Sequence, residues 1–386
     1  MTNPFTHDQV LHLVVFQAIL LLILLDNIWI TRRARRHIPP RVFPLVSVLV
    51  PARNEERNIA TCVQSLLVQD YPCFEVLVLD DQSSDGTLEI LKRIAATQPG
   101  LQVLEGEPPA ENVVGKNWAC SQLALQARGE LLLFTDADTH HSPDMLQGVV
   151  TALIGDHADL LTGYPRQEVH SWGERLLVPF FSWVLYCFIP LALGYRLPLP
   201  ILSSGVGQFM LFRREAYLAI GGHQSVSDSV AEDMSLVRRI KSARLRWRVA
   251  HITDLVSCRM YHSGWEAIDG FTKNLFAVFD YRLLPYLFAF IWLMVMFWEP
   301  YIVMLMMIVG QASLSQPATI ATCLALAVLL WLIHYINLGI PLGLAFIYPF
   351  TILANVGIAL RSCAYSLGGH LEWKGRKIAQ ARWKWL

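Results

Sequence analysis

The segment GELLLFTDADTHH places two carboxylates, Asp136 and Asp138, directly after a hydrophobic run. Only Ala137 separates them, and carboxylates this close repel each other unless a cation lies between them. Carboxylate oxygens suit Mg²⁺ or Mn²⁺, and such an ion would also neutralise a diphosphate. We therefore predict a metal site at Asp136 and Asp138. The alternative is a plain acidic turn, and His140 or His141 could add a ligand.

A second acidic pair, Glu232 and Asp233, opens the segment EDMSLVRRIK, whose spacing predicts an amphipathic helix. Carboxylates are favourable at a helix N-terminus for dipole reasons alone. One of the pair could instead act as a general base that takes a proton from a hydroxyl group. From the residues alone, either Glu232 or Asp233 could be this base.

Polar loops follow two other hydrophobic runs. In VLVPARNEERNI, backbone N–H groups and the start of the next helix suit a nucleotide, although a simple turn with a helix cap would look the same. In VLVLDDQSSDGT, Asp80 or Asp81 could accept a hydrogen bond from a base or a ribose, while Ser84 or Asp85 could merely cap a helix. The residues predicted to bind a nucleotide here are Pro51, Arg53, Asn54, Glu55, Asp80 and Asp81.

The elements that would position these groups alternate along residues 45–158. The short apolar runs LVSVLV, FEVLVLD, LQVLEG and GELLLFTD are separated by segments with helical spacing. Runs of this kind predict parallel strands, buried on both faces and joined by crossover helices. An open α/β sheet binds ligands beyond the carboxyl ends of its strands, which is where the polar clusters lie.

The N-terminal region predicts a membrane anchor. Residues 10–30 are nearly continuous apolar sequence, long enough to span a bilayer. Arg32, Arg33, Arg35 and Arg36 follow, so the positive-inside rule places the N-terminus outside and the next domain in the cytoplasm. We expect a multi-pass protein of the plasma membrane.

Four further apolar segments follow, and they allow more than one membrane topology. Residues 176–202, broken by prolines, predict a helix pair lying on the membrane, or alternatively a buried core helix. Residues 283–310, 318–338 and 340–360 are each long enough to cross. Three crossings would place the basic tail outside, so either one stretch is re-entrant or interfacial, or the charge rule fails. The predicted units are an N-terminal helix (1–31), a cytoplasmic domain (42–275), membrane helices (283–362) and a cytoplasmic tail (363–386).

Composition excludes some classes of function. The formal net charge is zero, so no global field favours nucleic acid as a partner. The seven cysteines are scattered, without a C-x-x-C pair or histidines at zinc-like spacing. We expect reduced thiols, and neither a disulfide framework nor a zinc site.

The order of these motifs resembles the family-2 inverting glycosyltransferases of the GT-A fold. In that family a P-x-x-N-E loop and a D-D-x-S turn hold the nucleotide, a D-x-D binds the metal and an E-D supplies the base. The likeness covers residues 45–273. The matching positions are Pro51, Asn54, Glu55, Asp80, Asp81, Ser83, Asp136, Asp138, Glu232 and Asp233.

A closer likeness is carried by RMYHSGWEAIDGFTKNLF, GQFMLFRREAYLAIGGHQS and LEWKGRKI. These segments resemble membrane glycosyltransferases that glucosylate carotenoids and related isoprenoid lipids, such as the diaponeurosporenoate glucosyltransferases. The Q-x-x-R-W motif of processive members is absent; GFTKN stands nearest. Lys273 within it could still assist a diphosphate, and we add Lys116 to the donor-binding residues. Gly205 and Gly207 would let the backbone approach a sugar closely.

The resemblance implies transfer of a hexose, with glucose from UDP-glucose as our expectation. It also implies that the base comes from the E-D pair, and we expect Asp233 to be the base and Glu232 to be a second catalytic residue. The acceptor would be a membrane lipid, such as a carotenoid, another isoprenoid or a glycerolipid, and Asp136 would contact the donor through the metal. Two alternatives stay open. One is a processive polysaccharide synthase, and the other is a non-catalytic membrane protein that binds nucleotides.

Overall fold

The computed structural model describes residues 7–33, 36–309, 317–370, 372–373, 376–377 and 383–386, so Arg35 lies outside the described residues. The helices are α1 (His7–Arg33), α2 (Ile59–Leu67), α3 (Thr87–Ala95), α4 (Gly115–Gln126), α5 (Met145–Gly155), α6 (Trp172–Phe188), α7 (Leu191–Arg196), α8 (Arg214–Ala219), α9 (Glu232–Ser242), α10 (Gly264–Val278), α11 (Leu283–Ile308), α12 (Pro317–Leu338) and α13 (Tyr348–Gly368). The strands are β1 (Val46–Ala52), β2 (Phe74–Asp80), β3 (Leu101–Glu105), β4 (Leu131–Thr135), β5 (Thr139–His141), β6 (Leu160–Tyr164), β7 (Arg166–Gln167), β8 (Phe209–Arg213), β9 (Trp247–His251), β10 (Val256–Cys258), β11 (Glu372–Trp373) and β12 (Arg376–Lys377).

A seven-stranded sheet forms the centre of the sheet domain, in the order β3-β2-β1-β4-β8-β6-β9. Its strands run parallel except for β8, which is antiparallel to both neighbours. The four predicted strands are β1 to β4, and the predicted helices between them are α2, α3 and α4. The prediction of an open, mostly parallel sheet is confirmed. Continuous apolar runs predicted these strands because β4 is buried along its whole length and β1 along almost all of it.

Apolar side chains cover both faces of this sheet. On one face, the valines of β1 pack against α2, α3 and α5. On the other face, Leu49 and Leu132 pack against α4 and α9, and the same cluster continues to Trp183 on α6 and Trp331 on α12. The sheet domain and the apolar helices therefore share one continuous core, which fixes the sheet against the helix bundle.

A second, three-stranded sheet has the order β5-β10-β7. Within it, Cys258 pairs with Thr139 of β5 on one side and with Gln167 of β7 on the other. This small sheet fixes the chain immediately after Asp138, so the D-x-D segment is held at both of its ends.

Among the described residues, four segments are long and apolar enough to cross a membrane by length and composition: Leu11–Arg33, Leu283–Ile308, Pro317–Leu338 and Leu342–Gly368. They correspond to the predicted N-terminal stretch and the three predicted C-terminal stretches. The predicted helix pair is also present as α6 and α7, and Pro190 lies in the short break between them. Trp183 of α6 is fully buried and stacks on Trp331 at 4.4 Å between ring centroids. This packing favours the alternative that α6 is a core helix.

The last long helix returns toward the sheet domain. The indole N–H of Trp298, midway along α11, donates to the carbonyl of Pro349 at the start of α13 (2.9 Å). The hydroxyl of Tyr286, near the start of α11, donates to the carbonyl of Ala359 (2.7 Å). Thus α13 begins beside the middle of α11 and runs back to its start. The tail ends there as well, where the Leu283 N–H donates to the carbonyl of Lys384 (2.8 Å).

Candidate active site

The D-x-D segment lies at the carboxyl end of β4, as predicted. Asp136 follows Thr135, the last residue of that strand, and its carbonyl accepts a hydrogen bond from the Thr139 hydroxyl (2.6 Å). Asp136 and Asp138 are both half-buried, whereas Ala137 between them is buried. The two carboxylates are therefore reachable from the sheet edge while the backbone that carries them is fixed.

Lys116 joins two of the acidic motifs. It lies in the first turn of α4, and its Nζ is 2.7 Å from Asp136 Oδ1 and 2.9 Å from Glu232 Oε1. Its side chain is 22% exposed, so both ion pairs are shielded from bulk solvent. The fold thus brings the start of α9 to the end of β4, and one lysine lies between a carboxylate from each.

Asp233 is held in the same cluster. The Gly207 N–H donates to Asp233 Oδ2 (2.9 Å), and the Met234 N–H donates to Asp233 Oδ1 (2.7 Å). A Cβ on Gly207 would lie only 3.2 Å from Glu232 Oε1 and 3.3 Å from Lys116 Nζ. Gly207 therefore leaves room for the charged side chains, and α9 begins at the acidic pair as the sequence predicted.

The two neighbouring carboxylates of α9 titrate in opposite directions. Burial raises the pKa of Asp233 to about 6, and the charge of Glu232 adds to the effect. Burial alone would raise the pKa of Glu232 too, but Lys116 outweighs it, so that pKa is lowered. Burial likewise opposes the charge of Lys116, yet Asp136 and Glu232 hold the pKa of that amine well above its usual value. Asp233 is therefore the carboxylate of the pair that can exchange a proton near neutral pH.

The two predicted nucleotide loops bind each other. Asn54, in the left-handed region with φ 52°, accepts from the Ser84 N–H through its side-chain oxygen (2.8 Å). The Glu55 N–H likewise donates to the Thr87 hydroxyl (2.8 Å), and within the second loop Asp80 Oδ2 accepts from the Ser83 N–H (3.1 Å). These contacts make one continuous surface from the ends of β1 and β2, and Pro51 ends up close to the acidic cluster, lining a small cavity with Lys116 and Asp136.

Arg376 contacts the second predicted nucleotide loop, although its position in the sequence did not predict this contact. Its Nη1 lies 2.7 Å from Asp81 Oδ2, and its Nη2 donates to Gln82 Oε1 (2.8 Å). Arg53 approaches the same turn and donates to the carbonyls of Asp81 (2.5 Å) and Gln82 (3.0 Å). Arg376 comes from the GRK segment near the end of the chain, a short motif whose only signal was its place in the resemblance. Without the fold, nothing in the sequence relates it to Asp81.

Other predicted residues lie in different surroundings. A Cβ on Gly205 would be 2.7 Å from Val237 Cγ2, so this glycine lets the loop pack closely on α9. Lys273 lies on α10, which packs against α6 and α13. His140 is exposed. Buried His141 has Nε2 3.1 Å from the Thr135 hydroxyl and Nδ1 3.3 Å from the Ser65 hydroxyl. Burial lowers its pKa to about 3, so His141 is a neutral core residue whose nitrogens are already engaged.

The side chains at the D-x-D fit a metal ion that takes its remaining ligands from the substrate and water. Within the described part of the chain, no group of three or more His, Cys, Asp or Glu side chains is arranged to hold an ion. Asp136 and Asp138 supply carboxylate oxygens at one strand end. Mg²⁺ is commonly held by one or two carboxylates, with substrate phosphates and water completing its shell. The donor set therefore fits an ion whose other ligands arrive with a diphosphate.

All seven cysteines are free thiols, as expected.

Comparison with known proteins gives a consistent result. Residues 47–221 match the family described as Glycosyl transferase family 2. A 4,4'-diaponeurosporenoate glycosyltransferase from Staphylococcus haemolyticus is 26% identical over 239 residues, which are 60% of this chain and 60% of that protein. A beta-monoglucosyldiacylglycerol synthase from Trichormus variabilis is 35% identical over 202 residues, or 51% of this chain and 41% of that protein. The chain spans less than two thirds of the length of either relative.

A solved structure shares the fold over nearly the whole chain. The mannosyltransferase PcManGT from Pyrobaculum calidifontis, in complex with GDP-Man and Mn²⁺, superposes with a TM-score of 0.53 at 21% identity. The match covers 91% of this chain and 98% of that one. At this identity the likeness concerns the fold, and it confirms the predicted GT-A architecture.

Proposed function

Because this chain carries a glycosyl transferase family 2 domain at residues 47–221, we propose that it is an inverting transferase that moves a hexose from a nucleotide sugar to a membrane lipid. The names of the two relatives favour a carotenoid-type or glycerolipid acceptor, since one acts on diaponeurosporenoate and the other is named for glucosyldiacylglycerol. The second name also favours glucose as the sugar, and UDP-glucose is the donor we propose.

Asp233 is proposed as the general base, and the opposite pKa shifts of the acidic pair carry this assignment. A base works best when its pKa lies close to the working pH, and burial brings the pKa of Asp233 to about 6. Glu232 stays ionised because it is paired with Lys116 at 2.9 Å. With a hydroxyl acceptor, Asp233 would take its proton as the oxygen bonds to the anomeric carbon and the bond from that carbon to the nucleoside diphosphate breaks, while Glu232 and Lys116 keep the site's charge fixed. A carboxylate acceptor is already ionised at neutral pH and would attack without a base.

The donor would lie along the carboxyl ends of β1, β2 and β4. Asp80 and Asp81 are the acceptors for the base or ribose, and the loop from Pro51 to Glu55, including Arg53 and Asn54, forms the opposite wall. Lys116 carries a positive charge 2.7 Å from Asp136, so it is placed to meet a diphosphate. Gly207, Gly205 and Lys273 remain proposed contacts of the sugar and phosphates.

Asp136 and Asp138 would hold Mg²⁺ or Mn²⁺, which supplies charge neutralisation of the leaving diphosphate when bound. The chain's own contribution is to fix both carboxylates at the end of a buried strand. Lys116 can also balance the charge of Asp136 before a donor arrives, which keeps the cluster from repelling itself apart.

We also propose that the sheet domain (42–275) and the tail (363–386) are cytoplasmic, at the plasma membrane. The arginines in the last turn of α1 and just after it support this side, and Arg376 contacts Asp81 of the sheet domain. If the tail lies on the same side as the sheet domain, the helices between them must cross the membrane an even number of times. The third stretch, Leu342–Gly368, is then re-entrant, because α13 starts beside mid-α11 and returns. This choice reconciles the basic tail with the three apolar stretches.

The direct test is a transfer assay on purified full-length protein in lipid nanodiscs. Radiolabelled UDP-glucose would be supplied with carotenoid or diacylglycerol acceptors, and products would be identified by mass spectrometry of extracted lipids. We expect a glycolipid whose formation requires the protein and is lost in Asp233→Asn. Donor hydrolysis without any lipid product, or no turnover of several nucleotide sugars, would overturn the proposal.

A further inference from the structure

A cavity of about 580 Å³ lies apart from the acidic cluster, at the junction of the sheet domain and the apolar helices. Its walls come from the end of α1, the end of α12, β7, and the end of β9 with the loop that follows. In the central sheet β9 is three strands away from β4. At ~4.8 Å per strand β9 is about 14 Å from β4. The wall at β7 is nearer, two strands from β5 in the small sheet, but no residue that lines this cavity also lines the one at the acidic cluster.

The polar groups of the cavity come from different elements. Arg32 belongs to the last turn of α1, and Arg166 belongs to β7; both line the cavity and both are exposed. Asn337, near the end of α12, also lines it but is only 5% exposed. The Asn337 amide interacts with the Tyr186 hydroxyl, but it makes no hydrogen bond of good geometry with any described residue. A buried amide in this condition costs free energy unless a ligand or water pairs with it.

The apolar side of the same cavity continues onto the surface of α12. Ile336 lines the cavity and is 63% exposed, on a helix that is long and apolar enough to cross a membrane. The lining residues include one carboxylate, Asp254, and two guanidinium groups, so positive charge is in excess. The cavity thus combines an anion-attracting wall with an apolar surface leading along a membrane helix.

We propose that this cavity binds the phosphate of a membrane phospholipid, with Arg32 and Arg166 on the phosphate oxygens and the Asn337 amide donating to the headgroup. Guanidinium groups match phosphate geometry, and a group bound by two of them is held in orientation. The acyl chains would extend past Ile336 along α12. The bound lipid would anchor the far edge of the sheet domain to the bilayer, whatever sugar or acceptor the enzyme uses.

The experiment is native mass spectrometry on detergent-purified full-length protein with added phosphatidylglycerol. The double variant Arg32→Gln/Arg166→Gln is compared with Arg33→Gln, which removes an adjacent exposed arginine that contacts Trp29 instead. Asn337→Leu, of similar size, tests the buried amide. Melting temperatures without added lipid check that each variant is folded.

We expect wild type and Arg33→Gln to retain the lipid, and the double variant to lose affinity on the order of tenfold or more. Asn337→Leu should weaken binding as well. Diacylglycerol, which lacks the phosphate, should be retained poorly by all forms. Equal retention of phosphatidylglycerol by the double variant and wild type would overturn the proposal. Complete displacement of the lipid by millimolar inorganic phosphate would overturn the lipid as the occupant. Sugar transfer does not enter these readouts, so they are independent of the proposed function.

Discussion

Arg376 and Asp81 form a two-pronged ion pair across 295 residues of chain, with Nη1 2.7 Å from Oδ2 and Nη2 3.2 Å from Oδ1. The Asp81 side chain is only 3% exposed. Burial raises the pKa of this carboxyl, and Arg376 opposes the rise. The end of the chain therefore supplies the counter-charge for an acidic residue of the predicted nucleotide loop.

We predict that Arg376→Ala loosens the tail and changes donor affinity. Hydrogen bonds to charged groups contribute about 1.5–3 kcal/mol, and a buried carboxylate that loses its partner is left with the cost of burial. The melting temperature should fall, the tail should become sensitive to trypsin, and the KM for the nucleotide sugar should move more than kcat.

The control is Lys377→Ala, the next residue of β12. Combining Arg376→Ala with Asp81→Asn tests the pair itself, since residues in direct contact are non-additive. The double variant should be no less stable than the worse single variant. Strictly additive losses in melting temperature would contradict a direct interaction.

A second prediction concerns Asp233→Asn. Transfer should fall by about 10²–10⁴-fold, the usual contribution of a general base. Asp233 lies at the start of α9, so a mere helix cap would instead lose thermal stability and keep its turnover. UDP binding, measured by calorimetry, should persist because the nucleotide loops lie on β1 and β2. Glu232→Gln should reduce transfer less.

The raised pKa of Asp233 also gives a pH dependence with a definite sign. Between its ordinary value of 3.8 and about 6, the folded protein holds a proton that the unfolded chain releases. This group therefore stabilises the fold fully below 3.8 and loses that contribution as pH rises through 6. At pH 7.5, Asp233→Asn should melt no lower than wild type, whereas the wild-type rate should decline as pH drops below about 6. A flat rate between pH 5 and 7.5 would exclude Asp233 as the base.

Lys116→Met should damage both stability and activity. Asp136 and Glu232 would lose the cation between them, and removing one partner of a largely buried ion pair costs on the order of 3 kcal/mol. Adding Glu232→Gln should recover part of the melting temperature because one uncompensated charge disappears, but it should not recover transfer. Thermal denaturation and initial rates separate the two effects. If the double variant melts lower than Lys116→Met alone, the charge explanation fails.

Chelation should stop transfer reversibly. With Asp136 and Asp138 as the metal residues, EDTA should remove activity and added Mn²⁺ or Mg²⁺ should restore it. Asp136→Ala and Asp138→Ala should be inactive at every metal concentration yet remain folded by circular dichroism. Transfer at an undiminished rate in excess chelator would show that the reaction needs no metal ion.

The proposed topology predicts that the tail and the sheet domain label from the same side. A single reporter cysteine placed after Arg41 and another at Trp385 should both be protected from impermeant maleimide in intact cells and react after permeabilisation. The background for this test is a variant without the exposed thiol of Cys73. Labelling of the Trp385 position in intact cells would mean that Leu342–Gly368 crosses completely.

The sequence located most of the candidate site residues because they lie at strand ends. β1, β2 and β4 are short apolar runs buried in the sheet, so their ends, and the acidic groups Asp80 and Asp136, could be located from hydrophobicity alone. The start of α9 at Glu232 was likewise readable from its amphipathic spacing. What these local patterns determined was the sheet, its polar edge and the candidate carboxylates.

Tertiary structure alone decided how the groups meet. Lys116 lies between Asp136 and Glu232 only because the antiparallel β8 inserts beside β4 and brings α9 across, and no local pattern encodes such a long-range pairing. In that place burial raises the pKa of Asp233 while Lys116 lowers that of Glu232, although the two residues are adjacent in sequence. The return of α13 and the reach of Arg376 to Asp81 were similarly hidden, because apolar length reports that a helix can cross a bilayer but not where its neighbours begin.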